Sequence, residues 1–140
     1  MVGLIIVAHG RLGEEFHKCA EGILGKQEGL VAVSVDFTKS VETARGELEA
    51  AIKRVDQGEG VVIMTDMFGG TPSNISLSFL DNHDTPIEVL TGVNLPMVIK
   101  GVTARKERSF EDLCSMLREY GIRGIIVASE LLREREGQRS

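Results

Sequence analysis

An α/β fold, a doubly wound and mainly parallel sheet with helices on both faces, is what this 140-residue chain predicts. Two observations carry the prediction. Strand-like runs at 2–8, 30–37, 60–65, 86–90 and 123–128 alternate with helical patterns, as in chains that wind a parallel sheet. Those runs are mostly continuous Val, Ile and Leu rather than alternating apolar and polar residues, so each is expected to be buried on both faces.

The first run, Leu4-Ile5-Ile6-Val7-Ala8, ends at His9-Gly10. The helix after it carries one apolar stripe, Leu12, Phe16, Cys19, Ala20, Ile23 and Leu24, and Gly25 supplies its stop. The second helix sets Val41, Ala44, Leu48, Ala51, Ile52 and Val55 on one face, with Ser40 as N-cap. A short third helix is expected to open at Thr71-Pro72, with Thr71 capping and Pro72 in the first turn, where its missing N–H costs no hydrogen bond. The fourth begins near Asn94-Leu95-Pro96. The fifth begins at Ser109-Phe110-Glu111-Asp112, a capping-box variant, and is expected to end at Gly121. The charged tail from Glu130 to Ser140 is expected to fray.

Length and composition fit one domain with an ordinary core: 42% hydrophobic and 26% charged residues exclude both disorder and a membrane class. The amino-terminal apolar run is far shorter than the roughly 20 residues that span a bilayer, and no Lys or Arg precedes it, so a cytoplasmic location is expected. A net charge of -5 and few aromatic residues argue against a nucleic-acid surface and leave room for a basic protein partner. Cys19 and Cys114 form no CxxC pair and no metal-ligand cluster, and both are expected as buried structural thiols. No metal and no cofactor is expected.

Chemistry concentrates where strands end. In open α/β sheets ligands bind at the carboxyl ends of the strands, and both His9 and Asp66 stand at such ends. If their strands are neighbours, the Asp66 carboxylate can accept a hydrogen bond from one imidazole nitrogen of His9, fix its tautomer and leave the other nitrogen as a nucleophile. Gly69-Gly70-Thr71 follows as a flexible turn into a helix start, where amide donors would face the same edge and suit a phosphoryl group. No Gly-Lys-Ser/Thr follows, so this is not a nucleotide-binding P-loop. A histidine that accepts a phosphoryl group is the chemistry these parts propose. Taken singly, each has a plainer reading: a structural histidine, a loop-capping aspartate, a tight connection.

The residues resemble a known family, the enzyme IIA domain of the mannose class of the bacterial phosphoenolpyruvate-dependent sugar phosphotransferase system. The resemblance spans about residues 2–128 and rests on the strand ending in His9-Gly10, on Asp66 with Gly69-Gly70-Thr71-Pro72-Ser73-Asn74, and on Gly92-Val93-Asn94-Leu95-Pro96-Met97. It implies that His9 takes a phosphoryl group from the carrier protein HPr and gives it to an enzyme IIB partner in sugar uptake. Asp66 would orient His9, and Gly69, Gly70 and the Thr71 hydroxyl would hold the phosphoryl oxygens. It also implies one domain over residues 1–130 followed by the tail 131–140, and a homodimer that exchanges an antiparallel edge strand near 123–128. Association with a membrane permease complex would come without a membrane span of its own.

Some residues remain open on the sequence. Arg11 serves either phosphate or partner contact or is a solvated charge, and Asn94 either starts its helix or supports the site. His17 and His83 read as structural or solvated, and Arg105-Lys106-Glu107-Arg108 as a solvated loop. Three alternatives to the relay stand: a phosphorylation-state sensor that regulates a partner without sugar transport, a dihydroxyacetone-kinase phosphotransferase subunit, and a tetrapyrrole metal chelatase.

Overall fold

The computed structural model of the chain describes residues 1–81 and 84–139. Four strands, β1 (Gly3–His9), β2 (Leu30–Val35), β3 (Val61–Thr65) and β4 (Ile87–Thr91), form one sheet in the order β2-β1-β3-β4, with every neighbouring pair parallel. Their carboxyl ends therefore share one edge. Helices α1 (Leu12–Leu24), α2 (Val41–Val55), α3 (Thr71–Leu77), α4 (Leu95–Ala104) and α5 (Phe110–Arg123) connect and cover the strands, and α6 (Ala128–Arg139) follows.

The unbroken apolar strands make the two-layer burial possible. Alternate residues of β1 point to opposite faces: Ile5 and Val7 pack with Val33, Val35 and Ile63 under α2 and α3, while Leu4 and Ile6 pack with Val62 and Met64 under α1, α4 and α5. Leu4, Ile5, Ile6 and Val7 are fully buried, each worth about 1.5–3 kcal/mol relative to exposure. On α2 the expected stripe holds from Ala44 to Val55, but Val41 remains half exposed. On α1 the buried stripe narrows to Gly13 and Ala20, with Phe16 and Leu24 partly covered; Leu12 and Ile23 reach solvent.

Helix ends follow local chemistry. Ser40, Asn94 and Ser109 each accept the backbone N–H three residues on, as N-caps do. The third helix departs from expectation: Gly70, not Thr71, is its N-cap, and Thr71 and Pro72 are its first two residues. Gly70 has φ 83° and ψ 172°, a conformation open almost only to glycine, so backbone geometry rather than a hydroxyl starts this helix. The fifth helix passes Gly121 and closes at Gly124, because Gly121 is buried in the α4–α5 contact, where a side chain would strike Met97.

The carboxyl-terminal stretch also differs. No strand forms over 123–128 within the single chain; after Gly124 an irregular link carries Ile125, Ile126 and Val127 exposed. The tail expected to fray is helical as α6, almost wholly solvent exposed. The expected solvated loop 105–108 contains a buried cation: Arg105 donates to the carbonyls of Gly29 (2.8 Å) and Glu28, tying α4 to the start of β2. Burial lowers the pKa of its guanidinium, and those carbonyl dipoles offset part of the cost of desolvation. Of the two thiols expected to be buried, Cys19 is exposed at the margin of the narrow α1 stripe. Cys114 is partly covered, and burial, helped by Glu88 and Glu111, raises it to about 12. His83 lies outside the described residues.

Candidate active site

Strand register determines what meets at the sheet edge. Because β1 and β3 are neighbours with Val7 opposite Thr65, the chain leaves β3 beside the end of β1, and Asp66 comes alongside His9. The Asp66 Oδ2 atom accepts both the backbone N–H of His9 (3.0 Å) and the ring Nδ1–H (2.7 Å), and Oδ1 accepts the Met67 amide (3.0 Å). One carboxylate thus takes three N–H groups. Burial by itself would raise the Asp66 carboxyl, but the His9 backbone N–H, the His9 ring and the Met67 amide together hold it below the usual carboxylate value.

The ionised carboxylate can only accept, so the proton of a neutral imidazole belongs on Nδ1 and the lone pair on Nε2. What lies beside Nε2 is backbone. A side chain at Gly70 would place its Cβ 3.4 Å from Nε2 and 3.3 Å from Cε1, so glycine here permits both the backbone angle and the close approach to the ring. Gly69, with φ 89°, makes the preceding turn, and half-buried Thr71 opens α3 directly after. His9, Asp66, Gly69, Gly70 and Thr71 therefore cluster within one loop-and-strand-end unit.

Two residues left open are placed differently. Arg11 is the backbone N-cap of α1, and its exposed guanidinium lies 3.4 Å from Glu14. Asn94 uses both polar ends structurally: Oδ1 accepts the Met97 amide and Nδ2 donates to the Gly121 carbonyl at 2.8 Å. His17 lies on α1, 3.4 Å from Glu21. One supporting residue escaped the sequence reading. The Ser34 hydroxyl donates to the Gly10 carbonyl, bracing the turn after His9, and the clue was a lone polar residue in the β2 run, opposite Ala8.

Cavities of about 340 and 440 Å³ border β2 and one of about 220 Å³ lies beside β4, but His9 lines none of these. Its side chain is 35% exposed at the carboxyl edge of the sheet. Among the described residues no group of three His, Cys, Asp or Glu side chains could hold a metal ion, and no helix is long and apolar enough to cross a membrane.

Fold and site together define an open parallel α/β protein with a carboxylate-oriented histidine on its surface. A family model described as the fructose IIA component of the phosphotransferase system matches residues 3–117, and the chain belongs to this family, EIIA-man. The fructose-specific EIIA component of Bacillus subtilis (strain 168) is 28% identical over 94% of this chain and 90% of its own length. The mannose-specific EIIAB component of Escherichia coli (strain K12) is 30% identical over 89% of this chain, which corresponds to 38% of that longer protein. A crystal structure of phosphotransferase system component EIIA from Streptococcus agalactiae superimposes with a TM-score of 0.86 at 30% identity, covering 93% of this chain and 99% of that one. Family membership gives the chain a phosphoryl-relay role in a sugar phosphotransferase system and favours none of the three alternatives.

Proposed function

We propose that His9 is the relay residue: it accepts a phosphoryl group from phospho-HPr on Nε2 and passes it to an enzyme IIB partner. The observation that carries this reading is the 2.7 Å bond between His9 Nδ1 and Asp66 Oδ2, which leaves Nε2 as the free nucleophile. In the step, the Nε2 lone pair attacks the donor's phosphorus. The N–P bond to His9 forms as the donor's own N–P bond breaks, and the donor nitrogen leaves with the electron pair. The Nδ1 proton stays in its bond to Asp66, whose charge supports the ring as it becomes cationic. The amide of Gly70 and the amide and hydroxyl of Thr71 are the donors assigned to the phosphoryl oxygens. Onward transfer repeats the exchange with the acceptor on enzyme IIB as nucleophile.

In this reading the chain acts beside a permease complex, as a homodimer. Exposed Ile125, Ile126 and Val127 support a strand exchanged between subunits. The test of the relay is incubation with phosphoenolpyruvate, enzyme I and HPr, read by intact mass. Wild type should gain one acid-labile, base-stable phosphoryl group, and His9→Ala none while keeping its fold. Uptake by His9→Ala at the wild-type rate would falsify the assignment.

A further inference from the structure

We infer that Phe37 is a docking anchor for the protein that delivers the phosphoryl group. This rests on the reading of His9 as the acceptor. Phe37 is the most exposed of the large apolar residues at 97%, although the loop around it is firmly built. Asp36 Oδ1 accepts the Thr38 amide (2.8 Å), the Thr38 hydroxyl (2.6 Å) and the Lys39 amide (2.9 Å). Lys39 in turn donates to the Ser34 carbonyl (2.8 Å) and pairs with Glu47 (2.8 Å). An aromatic ring held in water on a braced loop is an anchor that loses little conformational freedom on binding.

Its position relative to the chemistry follows from register. Val35 lies opposite His9 on the neighbouring strand, and Phe37 is two residues further on. With strands about 4.8 Å apart and successive Cα atoms 3.8 Å apart, the Phe37 Cα is at most about 12 Å from that of His9. A specific interface covers about 800 Å² on each partner, a disc on the order of 15 Å in radius. An interface of that size centred on Nε2 reaches Phe37. On the other side of His9, Met67 and Phe68 are 55% and 75% exposed in the loop between Asp66 and Gly70. Three exposed apolar residues thus follow the strand ends on the two sides of His9.

The surroundings specify the partner's chemistry. Along the chain Asp36 precedes Phe37 and the exposed Glu42 lies five residues on, the intervening Lys39 is paired with Glu47, and the net charge is -5. The matching face is a phosphohistidine set in apolar surface with cationic groups at its rim, which is the face assigned to the donor.

The experiment compares wild type, Phe37→Ala and Phe37→Tyr with two phosphoryl donors, phospho-HPr and phosphoramidate, the latter too small to touch Phe37 while reacting at His9. With phospho-HPr, Phe37→Ala should lose about tenfold or more in kcat/KM, and Phe37→Tyr should retain most of it. With phosphoramidate all three should react alike. An undiminished rate of Phe37→Ala with phospho-HPr overturns the inference, as does equal loss with both donors, which would make the loop a support of His9. Loss confined to onward transfer to enzyme IIB also overturns it. Wild type that reacts with phosphoramidate and not with phospho-HPr keeps His9 as acceptor but removes this donor. Wild type inert to both fails the His9 reading itself, and the anchor falls with it.

Discussion

The Asp66 carboxylate accepts three N–H groups, two of them from His9, and this sets the consequence of changing it. An asparagine cannot accept at both oxygen positions. Turned one way it faces the Met67 amide with its own NH₂; turned the other it loses both His9 donors. In either orientation the negative charge beside the ring is gone. Asp66→Asn is therefore expected to slow single-turnover phosphoryl uptake from phospho-HPr by about 10²-fold or more. An unchanged rate would remove Asp66 from the mechanism. The same substitution has a signature in acid unfolding. Because the folded carboxyl lies below its ordinary value, the stability due to the pair is complete above about pH 4 and is lost as pH falls through the lower folded value. The Asn variant should lack that part of the acid transition.

At the scale of elements, the helix caps show which local signals are self-sufficient. Ser40, Asn94 and Ser109 cap as their sequences indicate, since an N-cap needs only a side chain and an amide three residues away. The start of α3 does not follow its sequence signal, because positive φ at Gly69 and Gly70 brings the chain past the His9 ring before the helix begins. Asn94 joins two elements, capping α4 and holding the Gly121 carbonyl of α5. Asn94→Ala should cost about 1–2 kcal/mol in urea unfolding while phosphoryl uptake at His9 persists. A selective loss of uptake with stability intact would instead place Asn94 in the site.

At the scale of the whole molecule, an apolar stretch away from the site is exposed as well. Ile122, Ile125, Ile126, Val127 and Leu132 lie together in sequence around the link between α5 and α6, each more than half exposed. Continuous exposure of this kind is what an interface supplies with a partner. Sedimentation is expected to give a dimer, and Ile126→Lys, which places a charge in the middle of the stretch, a monomer of unchanged helical content. A wild-type monomer at micromolar concentration would overturn the exchange.

The sequence by itself determined the class of fold, four of the five runs it offered as strands and the ends at which His9 and Asp66 stand, because burial on both faces and strand termination are written in local apolar runs and the residues that stop them. The resemblance carried by the His9, Asp66 and Asn94 blocks pointed to the family that the matches establish. Tertiary structure alone decided the rest. It buried Arg105 beneath backbone carbonyls supplied by residues 76 and 77 positions away, and it gave Asn94 a partner 27 positions away. It brought the Asp66 carboxylate within 2.7 Å of the His9 ring, a contact between residues 57 positions apart. It left residues 125–127 irregular and exposed, although their composition reads as a strand. Such outcomes depend on which groups meet after the sheet has assembled, and no local pattern holds that information, because a hydrogen bond or a strand pairing belongs to two segments at once.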